Sequence, residues 1–307
     1  MFLICGDNLF DVFMEPGADP ATAAFAARAG GSPFNVAIGM RRLEAAAGYF
    51  SALSTDPLGR KLVRVLEGET VDLRYAIDTP RKTTLSVVTL DAEGVPAYTF
   101  YSEGAADTGV TVSDLPDLAA EVRGLHFGSY SLVVQPCGDA MQALAERAGD
   151  RIVSLDPNIR PTVEPDMSVW RARLDALMPH VDVLKISAED LDLIYPGKAA
   201  PAFALEALEA GVKLVVVTDG GESALGWTAT GAQAVAHPPK VDVIDTVGAG
   251  DTFMATLLMQ LSRAEDMHAH VTALTNETLE QLLIVCANAA AITCTRQGAD
   301  LPRLSEL

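Results

Sequence analysis

The seven residues from Asp245 to Asp251, DTVGAGD, combine carboxylates and glycines in a spacing that could bind an anion and act on it. Alternating valines precede them and apolar residues at helical spacing follow. This pattern predicts a strand, a glycine-rich turn and a helix with Asp251 in its first turn. Glycines let backbone N–H groups approach a ligand closely, and the first N–H groups of a helix are unpaired and carry partial positive charge. The motif therefore predicts an anion site.

Asp251 itself has two interpretations. A carboxylate at this position gains roughly 0.3–1 kcal/mol from the helix dipole whatever its role, so it could simply favour the helix N-terminus. It could instead be a general base, beside the place where the charge of a transferring phosphate is stabilised. The seven residues alone leave both interpretations open.

The composition limits the classes of protein to consider. The 307 residues could form one large domain or two, and a hydrophobic content of 49% is enough for a substantial core. No apolar run reaches the roughly 18–20 residues of a transmembrane helix, and the N-terminus is typical of a first strand rather than a signal peptide. The four scattered cysteines form no C-x-x-C motif, so we expect a cytoplasmic location.

The formal charge of −19 argues against nucleic acids and anionic membranes as partners, since no basic cluster compensates it. A small phosphorylated ligand is compatible with this charge, because its binding site can be locally positive. His268 and His270 are two residues apart, and no carboxylate spacing completes a metal motif around them.

Strand-like and helical patterns alternate regularly from about residue 121. This alternation is typical of a parallel sheet covered by helices on both faces, so the predicted fold class is a doubly wound α/β fold. The predicted strands are residues 2–6, 48–53, 124–128, 151–155, 181–186 and 214–218, and the predicted helices are 139–148, 170–178, 188–194 and 202–210.

Polar motifs follow most of these strands. In such sheets the strand ends lie on one edge, where ligands bind, so we expect these motifs to lie together. They are Asp11, residues 128–131, 156–161, 185–190 and 218–221.

A double glycine, Gly30-Gly31, precedes a further helical run. Ser32 before Pro33 predicts a helix N-cap with proline at the first helical position. Capping explains neither the glycines nor the polar Asn35 in the first turn, which suggest a second close approach of the backbone to a ligand.

Residues 84–90 and 95–101 are rich in β-forming side chains and predict a hairpin across the polar residues 91–94. A hairpin in a chain that otherwise alternates strand and helix is an appendage, and we interpret it as part of a lid.

Taken together, these motifs resemble the ribokinase-like (PfkB) carbohydrate kinases, and bacterial fructokinases in particular. The resemblance runs over nearly the whole chain, and the SPFN sequence at residues 32–35 favours a fructokinase. The segments that carry it are residues 30–35, 53–59, 126–131, 156–161, 245–251 and 295–300.

This resemblance implies one kinase domain over residues 1–307, with a β-sheet lid from about residues 9–16 and 84–108. It implies transfer of the ATP γ-phosphoryl group to fructose with Mg²⁺, giving fructose 6-phosphate. Asp251 would accept the proton of the attacking hydroxyl. The backbone amides of Gly248, Ala249 and Gly250 would hold the charge of the transferring group.

Further roles follow only from the resemblance. Sugar-binding positions match Asp11, Gly31, Asn35 and Arg160. Nucleotide-binding positions match Ser187, Thr218, Gly220 and Asn288. Asp190 matches a magnesium position, for which Glu189 is an alternative, and the backbone of Asp245 and Val247 matches a monovalent-cation site for K⁺.

Two departures from the family pattern bear on these roles. Ser187 and Asp190 stand where relatives have an Asn-x-x-Glu motif, which affects the metal side. Asp7-Asn8 stands where fructokinases usually have Glu-Ala, which affects the choice of sugar.

The motifs also bear on several alternative functions. A 2-keto-3-deoxygluconate kinase or another PfkB sugar kinase is compatible with the motifs, because Arg160 would also suit a substrate carboxylate. A non-catalytic sugar-binding regulator would be expected to lack Asp251. A nucleotide-dependent oxidoreductase is rejected, because no G-x-G-x-x-G follows the first strand. An exposed lid sheet could also pair two copies into a homodimer.

Overall fold

The computed structural model describes residues 1–14, 21–90 and 96–307. In these ranges the strands are β1 Phe2–Cys5, β2 Leu9–Met14, β3 Phe25–Gly30, β4 Ala47–Phe50, β5 Ala52–Ser54, β6 Ile77–Thr79, β7 Thr84–Leu90, β8 Pro96–Tyr101, β9 Gly124–Gly128, β10 Ile152–Asp156, β11 Val183–Ser187, β12 Leu214–Asp219, β13 Ser223–Thr228 and β14 Gln233–Ala236. The α-helices are α1 Ser32–Arg42, α2 Gly59–Gly68, α3 Cys137–Glu146, α4 Met167–Leu177, α5 Ala188–Ile194, α6 Ala200–Ala210, α7 Ala249–Ser262, α8 Met267–Thr272 and α9 Asn276–Cys294.

The larger sheet has the strand order β14-β13-β12-β11-β10-β9-β1-β4. The six strands from β4 to β12 in this order pair in parallel, and β13 and β14 add an antiparallel edge. Their apolar runs are buried on both faces, as parallel strands under helices require. The predicted doubly wound, mostly parallel α/β fold is confirmed.

Successive side chains of a strand point to opposite faces, and β1 shows how this feeds two cores. Phe2 and Ile4 belong to the core under α1, α2, α7 and α9, whereas Leu3 and Cys5 belong to the core under α3, α4, α5 and α6. The strands therefore end at one edge between two helical layers, and α1 and α7 begin at that edge. No helix in the described ranges combines the length and hydropathy needed to cross a bilayer.

A smaller sheet has the order β3-β2-β7-β8. The hairpin of β7 and β8 agrees with the prediction, but β3 was missed, because its alanine-rich sequence FAARAG has little intrinsic preference for strands. It forms by pairing with β2 from Leu9 to Met14. The predicted turn at 91–94, and residues 15 and 16 of the predicted lid, lie outside the described residues.

Two local predictions were wrong. The segment 48–53 is not one strand, because it bends at Ser51 and continues as β5, which pairs with β6 in a third small sheet. The segment 237–244, directly before Asp245, contains no strand: Val243 and Ile244 are 62% and 67% exposed, so no core holds them in a sheet. The Ile244 and Asp245 amides instead donate to the Cys294 carbonyl at the end of α9.

Candidate active site

Helix α7 begins where the DTVGAGD motif predicted, with Gly248 as its N-cap and Asp251 in its first turn. Gly248 has a φ of 81°, and a Cβ there would lie 2.7 Å from Ala299 Cβ, so both backbone and space require glycine. The Ala249 amide donates to the Thr246 carbonyl over 3.2 Å. In the described part of the chain this leaves the Gly248, Gly250 and Asp251 amides as the helix start's free backbone donors, whereas the predicted donor Ala249 is already engaged.

Asp251 is 6% exposed, and both of its carboxylate oxygens accept hydrogen bonds from α1. Ser32 Oγ donates to Oδ1 over 2.6 Å, and Asn35 Nδ2 donates to Oδ2 over 2.8 Å. Residues three apart lie on one face of a helix, so the first turn of α1 presents both donors to the first turn of α7. The two glycine motifs of the sequence thus meet at one carboxylate.

The predicted role of Ser32 was wrong. The N-cap of α1 is Gly31, with a φ of 113° and no side-chain capping bond, and Ser32 is the first residue of the helix. Its hydroxyl is therefore available to Asp251. Gly31 lies against the first strand end, because a Cβ on it would be 2.6 Å from the Asp7 carbonyl oxygen.

Burial raises the pKa of Asp251 above the ordinary aspartate value. The hydrogen bonds from Ser32 and Asn35 oppose this, since they favour the charged form. Of the nearby charges, Asp156 raises the pKa of Asp251 and Lys185 lowers it. The result is a buried carboxylate with a raised proton affinity that is oriented by two donors, which are the properties of a general base.

Lys185 and Asp156 form a buried ion pair below the start of α7. Their strands β10 and β11 run in register with Leu155 opposite Leu184, which places the two side chains side by side. Lys185 Nζ donates to Asp156 Oδ2 over 2.8 Å, and the side chains are 3% and 1% exposed. Asp156 Oδ1 has no hydrogen-bond partner among the described residues.

Asp11 and Arg160 are two further residues that the family resemblance matches to the sugar. Asp11 lies on β2, where a Cβ on Gly30 of the neighbouring strand would be 2.8 Å from Asp11 Oδ2. Burial raises the pKa of Asp11, and the Ser86 hydroxyl and the Arg160 charge oppose this shift. Arg160 donates to the Ile159 carbonyl over 2.9 Å. Its charge also lowers the pKa of Asp7, so Arg160 stands among several acids.

Asp7, at the end of β1, is 1% exposed, and its Oδ1 has no partner among the described residues. Burial and the charge of Asp107 raise the pKa of Asp7 to about 8. Asp107 is also buried, but it accepts hydrogen bonds from the hydroxyls of Thr84 and Tyr130 over 2.5 and 2.6 Å. Burial raises the pKa of Asp107 as well, and these two hydrogen bonds oppose that shift because they favour the charged form.

On the side matched to nucleotide and metal, Ser187 caps α5, its hydroxyl accepting from the Asp190 amide over 2.9 Å. Asp190 is buried and its Oδ1 accepts from the Ile159 amide over 3.1 Å, whereas Glu189 is exposed. Thr218 and Gly220 follow on the next strand end. Asn288 is exposed on α9, and no described contact joins it to these residues.

Asp245 holds the loop before α7 in place. Its carboxylate accepts from the Val247 amide over 3.1 Å and from the Gly298 amide over 2.8 Å. This ties the DTVGAGD motif to the loop at residues 295–300. The carbonyl oxygens of Asp245 and Val247 accept no hydrogen bond from the described residues, which leaves them available to a cation.

The sequence reasoning missed three groups of this site. Ser32 was assigned to capping, and only packing shows where its hydroxyl points. Asp156 was seen as part of a turn. Lys185 could have been predicted from the sequence. A lysine inside the apolar run VLKIS of a buried parallel strand needs a partner of opposite charge.

Comparison with known proteins places this geometry in a family. The model of the pfkB family carbohydrate kinases matches residues 9–306. A fructokinase of Rhizobium leguminosarum bv. trifolii is 40% identical over 262 residues, which are 85% of this chain and 79% of that protein. A fructokinase of Salmonella typhimurium is 34% identical over 280 residues, covering 88% of this chain and 87% of that protein.

Solved structures agree. The fructokinase from Xylella fastidiosa with bound ATP is 29% identical and superimposes with a TM-score of 0.91, over 99% of this chain and 96% of that one. The fructokinase from Vibrio cholerae O395 in its form with fructose, ADP and calcium ion is also 29% identical, with a TM-score of 0.82 over 97% and 94% of the two chains. The resemblance inferred from the sequence motifs is confirmed, and this chain belongs to the pfkB family of carbohydrate kinases.

Proposed function

We propose that this chain is an ATP-dependent fructokinase, which transfers the γ-phosphoryl group of ATP to D-fructose and forms fructose 6-phosphate. The observation that carries this proposal is Asp251, a buried carboxylate held by two donors beside the free amides of a helix start. The fructokinases among the relatives support fructose as the acceptor.

In the proposed reaction the hydroxyl oxygen of the sugar attacks the γ-phosphorus, and the bond from that phosphorus to the β,γ-bridging oxygen breaks to release ADP. Asp251 takes the hydroxyl proton. The free amides of Gly248, Gly250 and Asp251, with the helix dipole behind them, stabilise the charge of the transferring group. The Ala249 amide, which the sequence analysis included, donates to the Thr246 carbonyl and shapes the turn. Phosphoryl transfer needs little more from a protein than positioning and electrostatics.

Asp11, Gly31, Asn35 and Arg160 hold the sugar in this proposal. Asn35 then has two functions, because its amide also donates to Asp251. The charge of Arg160 interacts with that of Asp11, and this partial compensation favours a neutral sugar over an acidic one.

Ser187, Thr218, Gly220 and Asn288 line the nucleotide side in the proposal. Magnesium fits the carboxylate of Asp190 in the first turn of α5, because Mg²⁺ characteristically keeps several waters beside one or two carboxylates and the substrate phosphates. Asp190 would contribute, with the exposed Glu189 as the alternative, and bound Mg²⁺ would neutralise phosphate charge. A K⁺ ion fits the free carbonyls of Asp245 and Val247.

We also propose that residues 1–307 form one kinase domain with the small sheet of β2, β3, β7 and β8 as its lid. Phe25, Met14 and Tyr101 are large apolar side chains on the outer face of this sheet and are about half exposed or more. Such a face supports a homodimer through the lid. Light scattering should give twice the chain mass, and Phe25→Ser should reduce it to one chain; a monomeric wild type would contradict the dimer.

A cytoplasmic location is consistent with the use of ATP and with four cysteines that are all free in the structure. Cell fractionation with an antibody to the chain tests it, and recovery outside the cytoplasmic fraction would contradict it.

The proposed activity is tested by ADP release with ATP and a panel of sugars. We expect fructose to be turned over with the highest kcat/KM, and 2-keto-3-deoxygluconate poorly. The reverse order would identify an acidic-sugar kinase, for which Arg160 would be the carboxylate ligand. Binding of fructose without turnover of any sugar would instead identify a regulator.

A further inference from the structure

Lys185 and Asp156 have no part in the proposed reaction, although they are the most deeply buried ion pair in the described part of the chain. Burying two charges costs several kcal/mol per ion, and a neutral pair of similar volume is often as stable or more so. A purely structural link between β10 and β11 would therefore be served as well by apolar residues. The free-energy cost of burying the pair therefore indicates that the charge of Lys185 has a function.

The position of the ammonium group suggests that use. A Cβ built on Gly250 would lie 3.2 Å from Lys185 Nζ, and apart from the helix's own turn no other atom of the described residues comes within 4 Å of it. Lys185 Nζ therefore lies next to Gly250, whose free amide belongs to the anion hole, the group of unpaired amides at the start of α7. Glycine at position 250 leaves room for the ammonium group next to the helix start.

Lys185 stays charged there. Burial alone would lower the pKa of Lys185, but Asp156, followed by Asp190 and Asp251, raises it above the ordinary lysine value. In a site shielded from water, a fixed positive charge acts more strongly on developing negative charge than it would in solvent. The ammonium and the helix dipole act at the same point.

We propose that Lys185 is a positioning residue beneath the anion hole, which supplies fixed positive potential to the phosphoryl group in transfer, and that Asp156 holds it there. This inference rests on the proposed phosphoryl transfer. It assigns Lys185 a second effect, on Asp251. The charged groups around Asp251 are Asp156 and Lys185 at the ends of β10 and β11, with Asp190 on α5 and Asp7 at the end of β1.

Two variants separate the two effects. Lys185→Met leaves Asp156 uncompensated, so the acid limb of the kcat/KM profile of fructose should move up by about one pH unit, and kcat should fall about 10²–10³-fold. In Lys185→Met/Asp156→Asn both charges are gone, and their opposite effects on Asp251 cancel. The acid limb should return towards that of the wild type, while kcat stays about 10²-fold low and KM for fructose changes less than about threefold.

If the ion pair of Lys185 and Asp156 only links β10 to β11, a different result is expected for the double variant. The double variant has no uncompensated charge, so it should melt near the wild-type temperature and recover kcat together with the acid limb. Recovery of kcat to within about threefold would overturn the proposal, as would an unmoved acid limb in the single variant. If Lys185→Met does not fold, Lys185→Arg replaces it: retained charge should keep kcat within about tenfold, and a loss as large as that of the double variant would contradict the proposal.

Lys198→Met is the matched control, because Lys198 pairs with the exposed Glu206 of α6 and no described contact joins either side chain to the site. It should leave kcat and the pH profile unchanged. Inertness of the wild type towards fructose would refute the proposed substrate alone, and the same variants would then be compared on whichever sugar of the panel is phosphorylated.

Discussion

The Ser32 hydroxyl donates to Asp251 Oδ1 over 2.6 Å, a contact between the first turns of two helices that are 219 residues apart in the chain. With the Asn35 amide on the other oxygen, it fixes the direction of the carboxylate before any ligand binds. A base held in this way loses little entropy in the reaction, because its rotamer is already selected. The arrangement leads to predictions about rate, pH dependence and stability.

Replacing Asp251 by Asn tests the base directly. The amide keeps the shape of the side chain but cannot take a proton, so kcat should fall by about 10²–10⁴-fold. Binding of fructose, measured by calorimetry, should persist. Asp242→Asn, at an exposed acid nearby, is the control and should keep normal turnover. Near-normal turnover of Asp251→Asn would refute the assignment.

Ser32→Ala removes one donor to the charged form of Asp251. The pKa of Asp251, already raised by burial, should rise further, so the base becomes protonated at a higher pH. Activity should therefore be lost earlier as the pH falls, with the acid limb of kcat/KM displaced upwards by about one unit or less. The measurement is a profile from pH 4.5 to 8.5, alongside Ser262→Ala, whose hydroxyl bonds only to its own helix. An unchanged acid limb would show that the hydrogen bond from Asn35 alone is enough to stabilise the charged form of Asp251.

Asp7 makes the folded state sensitive to pH. Its pKa rises from 3.8 to about 8 on folding, so the folded state binds a proton that the unfolded state has lost between these values. The contribution of Asp7 to stability is therefore complete below about pH 4 and is lost as the pH rises towards 8. Asp7→Asn, which stays neutral, should unfold at higher urea than the wild type at pH 8, with a difference that shrinks towards pH 4.

Asp56 provides the opposite case. Burial acts to raise its pKa, but hydrogen bonds from Gly59 and Thr83 outweigh it and lower the pKa to about 2. Its contribution to stability is present above the unfolded value of 3.8 and is lost as the pH falls towards 2. Asp56→Asn should thus destabilise the protein at pH 7 and by a clearly smaller amount at pH 2.5, near the folded-state pKa. The same urea titrations measure both variants, and equal pH slopes in the two would contradict these assignments.

Gly248→Ala should damage both stability and turnover. A residue with a side chain pays about 1–2 kcal/mol for the left-handed conformation, and here its Cβ would also meet Ala299 at 2.7 Å. Gly231→Ala is the matched control, since Gly231 has a φ of 92° with no atom within 4 Å of an added Cβ. Urea unfolding should show the larger loss for Gly248→Ala, and only that variant should lower kcat. Equal losses would mean that the contact with Ala299 is relieved without disturbing α7.

Much of the sheet could be predicted, because its information is local. Apolar runs bounded by turns predicted β9 to β12 within two residues of their observed ends. The helical spacing of apolar residues after a glycine-rich turn predicted the start of α7. Strand β3 could not be found in this way, since alanines carry almost no strand preference and only pairing with β2 holds it. The strand predicted before Asp245 is the opposite case. Its alternating valines favour a strand, but the described residues offer no sheet there for it to join.

The sequence by itself determined the family, the parallel core and the carboxylate at a helix start, since these depend on periodicity and on backbone preferences of a few adjacent residues. Only the tertiary structure decided what surrounds that carboxylate. Packing of α1 against α7 gives Asp251 the Ser32 hydroxyl, and the register of β10 with β11 puts Lys185 on Asp156 below Gly250. Such contacts join residues far apart in the chain, and no local pattern encodes them.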